Sequence, residues 1–110
     1  MINTPDNWVV FKIDGDDPHY KVLAGWSGGY LGADSWRINS GITGVKETAT
    51  HFEFYGASGS CYKCNKHAYC LRNNNAYVWN ELQEKFGSKV SLMDEDTAWL
   101  AMDWIISPDI

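Results

Sequence analysis

The sequence predicts a mainly β fold, a small barrel or sandwich with one late amphipathic helix. Three observations predict it. Short runs of β-branched and aromatic residues alternate with turn residues along the first two thirds of the chain. The 110 residues include six Trp, six Tyr and four Phe, and each large ring can bury about 150–250 Å², so few residues can close a small core. Helical periodicity appears only after residue 75.

The first predicted strands form a hairpin. Residues 8–13 (WVVFKI) are β-branched and aromatic, with alternate side chains on one face. Residues 14–18 (DGDDP) have strong turn chemistry, and residues 20–24 alternate again. Four glycines between residues 25 and 32 then suit a bulge or a sharp bend in the strand.

Further strand segments are predicted over residues 36–38, 42–47, 51–55 and 60–64, and the second of these can continue the first. Turn residues separate the segments. Short strands at this spacing are typical of a small barrel or sandwich.

One amphipathic helix is predicted over about residues 75–86. Its apolar residues share one helical stripe: Val78, Trp79, Leu82 and Phe86. Any of the three asparagines at 73–75 can cap its start, and Gly87 suits its end. Residues 90–93 then predict a final short strand, and the acids at 94–96 can begin a last helical turn.

The chain length predicts one domain, residues 7–104, with terminal tails at 1–6 and 105–110. The start lacks the regions of a signal peptide, and no apolar run approaches the roughly 18 residues of a membrane span. Three cysteines cannot all pair within one chain. We therefore expect free thiols in a reducing cytoplasm and no membrane partner.

The net charge of −5 argues against a general basic nucleic-acid binder. The distribution of charge is more informative than its sum. Residues 61–75 hold three cations, Lys63, Lys66 and Arg72, and no acid. We call this segment the basic island.

Two sequence motifs match known functional patterns, but the residues around them do not support the function. Residues 25–29 (GWSGG) match the G-x-S-x-G pattern of a nucleophile elbow, but no helical period follows them and the chain is too short for that fold. The aspartates within 14–17 lack the glutamate that a calcium loop needs at its twelfth position, which here is Gly25. We therefore predict neither catalytic residues nor a cofactor.

Cys61, Cys64, His67 and Cys70 form a C-x2-C-x2-H-x2-C pattern, and four such ligands could wrap one zinc ion. The gaps to His67 and Cys70 are tighter than in usual zinc knuckles. In a strand, Cys61 and Cys64 would also point to opposite faces. Free thiols are the favoured interpretation, and a zinc-dependent protein is the alternative.

The basic island carries the parts of a surface that binds single strands. Cations can bind phosphates, rings can stack on bases, and amides can hydrogen-bond to base edges. The residues that supply these groups are Tyr62, Lys63, Lys66, His67, Tyr69, Arg72 and Asn73–Asn75. A solvated polar loop between strand and helix is the alternative.

Several segments resemble a family of small proteins abundant in ocean metagenomes and marine cyanophages. They are residues 25–31 (GWSGGYL), 34–42 (DSWRINSGI), 55–60 (YGASGS), 74–80 (NNAYVWN) and 102–104 (MDW), and the likeness runs from about Asn7 to Trp104. The resemblance implies an Sm-like (SH3-like) barrel of five strongly bent strands, a fold whose members form rings and bind single-stranded RNA.

The Sm motifs themselves are only partly present. Their Asp-x-x-Met-Asn stretch is echoed by residues 34–39, with an extra residue and no methionine. Their Arg-Gly signature and N-terminal helix are not evident. Arg37 and Asn39 are the residues that the resemblance carries over to this chain.

We expect a non-enzymatic Sm-like protein of the infected host cytoplasm, a homo-oligomeric ring of about five to seven subunits that binds single-stranded RNA or DNA during phage infection. The expected phosphate contacts are Lys63, Lys66 and Arg72, and the stacking candidates are Trp36, Tyr62 and His67. An acidic protein-interaction module that engages a host or phage protein is the alternative, and the net charge favours it.

Overall fold

The computed structural model describes residues 2–28 and 33–104, and within them it shows a mainly β protein with eight strands in two sheets and one short helix. The strands are β1 (Ile2–Asn3), β2 (Asn7–Ile13), β3 (His19–Trp26), β4 (Ser35–Ile38), β5 (Ile42–Glu47), β6 (His51–Gly56), β7 (Cys61–Asn65) and β8 (Val90–Leu92), and the helix is α1 (Ala76–Phe86). Short 3-10 turns cover Gly87–Lys89 and Trp99–Ala101. In this part of the chain, no helix has the length and apolar character needed to cross a membrane.

The first sheet has the strand order β4-β3-β2-β8. Its central hairpin confirms the prediction from the sequence, because β2 and β3 are antiparallel from Ile13 opposite His19 to Asn7 opposite Gly25. The strand predicted over residues 90–93 joins the other side of β2 as β8.

The second sheet has the order β1-β7-β6-β5. Strands β5, β6 and β7 form an antiparallel meander, as the turn residues between them predicted. Strand β1 runs parallel to β7 and places Ile2 beside Cys61. The expected tail at residues 1–6 thus contributes an edge strand, whereas residues 105–110 lie outside the described part of the chain.

The observed architecture differs from the five-stranded barrel that the family resemblance implies. The described residues form eight strands rather than five, and their two sheets do not close into a barrel. The chain passes from one sheet to the other at residues 39–41, where Gly41 has a positive φ of 131°. Residues 42–47 therefore begin a strand of the second sheet instead of continuing β4. The prediction of a mainly β fold with one late helix is confirmed.

An aromatic core joins the two sheets. Trp8 of β2 is 1% exposed, and its ring centroid lies 5.4 Å from that of Phe54 on β6 in the opposite sheet. Trp99 packs against both rings, at 5.9 and 5.7 Å. The indole N–H of Trp8 donates to the carbonyl of Asn65 at 2.7 Å, so the polar end of this buried ring is satisfied.

Helix α1 packs on the other face of the first sheet. Val78 and Trp79 are buried, and the ring of Trp79 lies 5.6 Å from that of Phe11 on β2. Strand β2 therefore meets apolar side chains on both faces, which explains its nearly continuous apolar sequence. Phe86, predicted on the same helical stripe, is 42% exposed at the last helical residue.

A cluster of buried amides fixes the loop before α1 to the first sheet. Asn7, Asn74 and Asn75 are each at most 1% exposed. Asn7 Nδ2 donates to Oδ1 of Asn74 and of Asn75 at 3.1 Å, and Asn74 Nδ2 donates back to Asn7 Oδ1 at 2.6 Å. Asn75 occupies the predicted cap position, but its Oδ1 accepts the backbone N–H of Arg72 at 2.9 Å and makes no bond to the helix. These side chains are therefore structural.

The close approach of this cluster explains the glycine at position 25. A Cβ on Gly25 would lie 2.2 Å from Asn74 Oδ1, and the amide cannot withdraw without breaking its bonds to Asn7. By contrast, a Cβ on Gly44 of β5 would meet nothing within 4 Å.

We expect Gly25→Ala to lower the free energy of unfolding by about 2–4 kcal/mol, because the added methyl overpacks the site and disrupts a buried hydrogen bond. Urea denaturation measures this loss. Gly44→Ala is the matched control and is expected to remain within about 0.5 kcal/mol of the wild type. Equal destabilisation of the two variants would contradict this explanation of Gly25.

Candidate functional site

A groove lies between edge strands of the two sheets, with β1 on one side and β4 on the other. It consists of two adjoining hollows of about 580 and 340 Å³ that share Asn3 and Arg37. We call it the edge groove. The larger hollow is lined by Asn3, Lys21, Arg37, Ile38, Asn39, Ser40, Ser58, Ser60 and Tyr62, and the smaller one by Ile2, Asn3, Thr4, Trp26, Ser35 and Arg37.

The edge groove is cationic although the protein is acidic. Lys21 and Arg37 line it, and none of its described lining residues is Asp or Glu, whereas the whole chain has a net charge of −5. Arg37 lies opposite Ala24 on β3, and its guanidinium donates to Asn3 Oδ1 at 3.5 Å. Lys21 and Arg37 thus bring positive charge to the groove, and positive charge attracts anions.

Asn39 lies at the floor of the larger hollow. Its backbone N–H donates to the carbonyl of Val22 at 3.1 Å, and its Oδ1 accepts the N–H of Val22 at 2.9 Å. The residue is 2% exposed, and within the described residues its Nδ2 has no hydrogen-bond partner. Arg37 and Asn39, the two residues that the family resemblance carried over, therefore lie in the same groove.

Tyr62 contributes to the wall of the groove from within the core. It is 4% exposed and packs in the cluster between the two sheets. Burial raises the pKa of its hydroxyl, and the positive charge of Arg37 partly offsets that increase. Core side chains cover the ring, which corrects the stacking role predicted for Tyr62.

The fold places acids from other parts of the chain near two cations of the basic island. Lys66 Nζ lies 2.6 Å from Glu47 Oε2 and shares a hollow with the acidic residues 94–96. Lys63 on β7 is directly opposite Glu53 on β6. The island has no acid in its own sequence, but the fold places acids beside it. Its positive field is therefore weaker than the sequence predicts.

Tyr69 and two of the three asparagines, expected at the surface of the island, belong to the interior. The hydroxyl of Tyr69 donates to the carbonyl of Met93, and burial raises its pKa to about 12. Asn74 and Asn75 use their side chains in the buried amide cluster. Their amides are not available to read base edges.

Three predicted contacts are exposed but do not line the edge groove: Trp36, His67 and Arg72. Trp36 is 41% exposed. Because side chains alternate along a strand, Trp36 and Arg37 point to opposite faces of β4.

The four residues of the alternative zinc pattern are not brought together as a metal site. Cys61 and Cys64 point to opposite faces of β7, since three positions separate them. Burial raises the pKa of both thiols, and that of Cys64 lies well above its ordinary value. Within residues 2–28 and 33–104, no group of three or more His, Cys, Asp or Glu is placed to hold a metal ion.

The other two motifs have structural roles where they are described. The hydroxyl of Ser27, the central residue of the G-x-S-x-G pattern, accepts a hydrogen bond from Asn74 Nδ2 at 3.0 Å. Residues 29–32, whose sequence lacks the helical period that a nucleophile elbow requires, lie outside the described part of the chain. In the aspartate-rich turn, Asp14 pairs with Lys12 at 3.3 Å.

The lining residues that were not predicted include Lys21, Ser40, Ser58 and Ser60. Lys21 gave a local signal, because it is the only charged residue in the alternating segment 20–24. The serines gave none, since Ser40 meets Ser58 only through the packing of two loops that belong to different parts of the chain.

No protein-family model matches the chain, and neither the curated proteins nor the solved structures include a significant match. The function of the edge groove is therefore inferred from the chemistry of its lining.

Proposed function

We propose that the protein is a non-enzymatic binder of single-stranded RNA or DNA and that the edge groove holds the strand. The observation that carries the proposal is the charge of the groove. Lys21 and Arg37 both line it, in a chain with a net charge of −5. A phosphate backbone is the anion that such an extended cationic groove suits best.

The neutral lining residues also suit a single strand. The groove presents amide and hydroxyl groups that can hydrogen-bond to sugars and base edges, and these edges are accessible when a strand is unpaired. Trp26 adds a half-buried aromatic surface at the smaller hollow. Its indole N–H donates to the carbonyl of Thr4 at 2.9 Å, which holds the ring in one orientation for stacking.

We further propose the Sm-like relationship that the sequence suggested, with assembly into a homo-oligomeric ring. The shared position of Arg37 and Asn39 in one groove supports it. So does the placement of β4 and β5 at edges of their sheets, because an edge strand leaves backbone groups that can pair with a second copy.

Size-exclusion chromatography with light scattering tests this assembly. The chain has a mass of 12.4 kDa, and we expect a particle of about five to seven chains. A monomer at concentrations that bind nucleic acid would contradict the ring and leave the groove as the binding site.

The second candidate function is an acidic module that binds a basic protein surface. The exposed acids at 94–96 and the net charge of −5 favour it. A protein partner retained after nuclease treatment, together with no binding of single strands at low salt, would support this module over the nucleic-acid binder.

The double variant Lys21→Ala/Arg37→Ala tests the edge groove directly. We expect it to weaken binding of homopolymer single strands by about tenfold or more and to reduce the salt dependence by about two phosphate contacts. Fluorescence anisotropy with labelled oligonucleotides over a series of salt concentrations measures both quantities.

The double variant Lys63→Ala/Arg72→Ala removes the same charge from the basic island and is the matched control. Its affinity is expected to stay within about threefold of the wild type, because only long-range attraction is lost. The opposite ranking of the two variants would place the site on the basic island. Failure of the wild type to bind any strand at low salt would refute nucleic-acid binding.

A further inference from the structure

An unsatisfied donor lies at the floor of the edge groove. Asn39 Nδ2 is buried and has no hydrogen-bond partner among the described residues, while Oδ1 of the same amide accepts the N–H of Val22 at 2.9 Å. Rotating the side-chain amide by half a turn would exchange Oδ1 and Nδ2, and the N–H of Val22 would then lose its acceptor. A buried donor without a partner destabilises a protein by about 1–3 kcal/mol, so such a group requires an explanation.

Three serine hydroxyls beside this amide have one hydrogen atom to spare. The backbone N–H of Ser58 donates to Ser40 Oγ at 3.0 Å, and the hydroxyl of Ser40 donates to Ser58 Oγ at 3.1 Å. The hydroxyl oxygens of Ser58 and Ser60 lie 3.4 Å apart and share one hydrogen. Two hydroxyl hydrogens are thus used among the three serines, and the third can donate into the hollow that all three line.

Polar atoms of three of these residues lie close together beside Gly56 on β6. A Cβ at this position would lie 2.9 Å from Ser40 Oγ, 3.0 Å from Ser60 Oγ and 3.6 Å from Asn39 Nδ2. Gly56 is not one of the described glycines with a positive φ, so its backbone conformation is open to other residues. The bare Cα instead lets the serine hydroxyls and the Asn39 amide pack together beside a hollow of about 580 Å³, and we call this group of side chains the polar cradle.

We propose that this cradle, formed by the side chains of Asn39, Ser40, Ser58 and Ser60, binds a phosphate group. A phosphate brings hydrogen-bond acceptors and negative charge, and it is bound most strongly by donors supported by cations. The cradle supplies amide and hydroxyl donors, and the two cations of the edge groove line the same hollow. The inference rests on the proposed function in one respect, because a nucleic-acid strand is the expected source of the phosphate.

Isothermal titration calorimetry with three probes tests the cradle: inorganic phosphate, a nucleoside monophosphate and the matching nucleoside. We expect the wild type to bind the first two and not the nucleoside. Asn39→Asp keeps the acceptor for Val22 and replaces the donor with a negative charge, and Gly56→Ala places a methyl group in the cradle. Each is expected to weaken phosphate binding by about tenfold or more.

Two further variants separate binding from folding. Ser60→Ala removes one hydroxyl without adding volume, and it is expected to weaken phosphate binding by about threefold or more. Gly44→Ala on the same sheet is expected to bind like the wild type, because a Cβ there meets nothing within 4 Å. Urea denaturation verifies that each variant is folded. Unchanged phosphate affinity in folded Gly56→Ala and Ser60→Ala, or equal binding of the nucleoside and its monophosphate, would overturn the cradle.

Oligonucleotide binding by the same variants distinguishes this inference from the proposed function. If single strands bind the wild type and the cradle variants equally, and inorganic phosphate does not compete, the cradle is refuted and the groove stands. If phosphate binds and the variants weaken it, but no strand binds at low salt, nucleic-acid binding is refuted and the cradle stands. If strands that carry a terminal phosphate bind more tightly than strands without one, the cradle binds a phosphomonoester. If both kinds of strand bind equally, the cradle binds an internal phosphodiester.

Discussion

The packing of Trp8 between the two sheets is the contact on which the edge groove depends. Trp8 belongs to the centre of the first sheet, and its ring meets Phe54 on the second. One wall of the groove is β4 of the first sheet and the other is β1 of the second. The separation of these walls is therefore set by how the sheets pack, and rings outside the groove lining determine its width. Close packing of this kind transmits small changes in the core to the surface.

Local hydrogen bonds then give the groove its chemistry. Asn39 binds Val22 through both backbone and side chain, which fixes the point where the chain leaves the first sheet. The bond from Ser58 N–H to Ser40 ties a turn of the second sheet to the same point. An acidic protein thus presents a hollow lined by cations and neutral donors. If the groove binds a polyanion as proposed, exposed acids elsewhere, such as those at 94–96, repel that polyanion from the rest of the surface.

The hairpin and the helix could be predicted because their signals are local: two apolar strand segments joined by turn residues within 8–24, and a helical stripe over 76–86. The division of the strands into two sheets could not be predicted. Whether residues 42–47 continue β4 depends on which distant strand they pair with. The positive charge of the basic island was overestimated for the same reason. Its cations are contiguous in sequence, but the acid that binds Lys66 lies 19 residues earlier. Similarly, Asn74 is a polar loop residue by local criteria and is buried only because Asn7, 67 residues away, meets it.

Proton–nitrogen correlation NMR of isotope-labelled protein, titrated with a homopolymer single strand, tests the groove most directly. We predict the largest shift changes at the side-chain amide of Asn39, the backbone amide of Ser58 and the guanidinium of Arg37, because these groups line one hollow. The backbone amides of Lys63 and His67 are expected to change little. The largest changes at Lys63 and His67, with the Asn39 side chain unchanged, would contradict the assignment of the edge groove as the binding site.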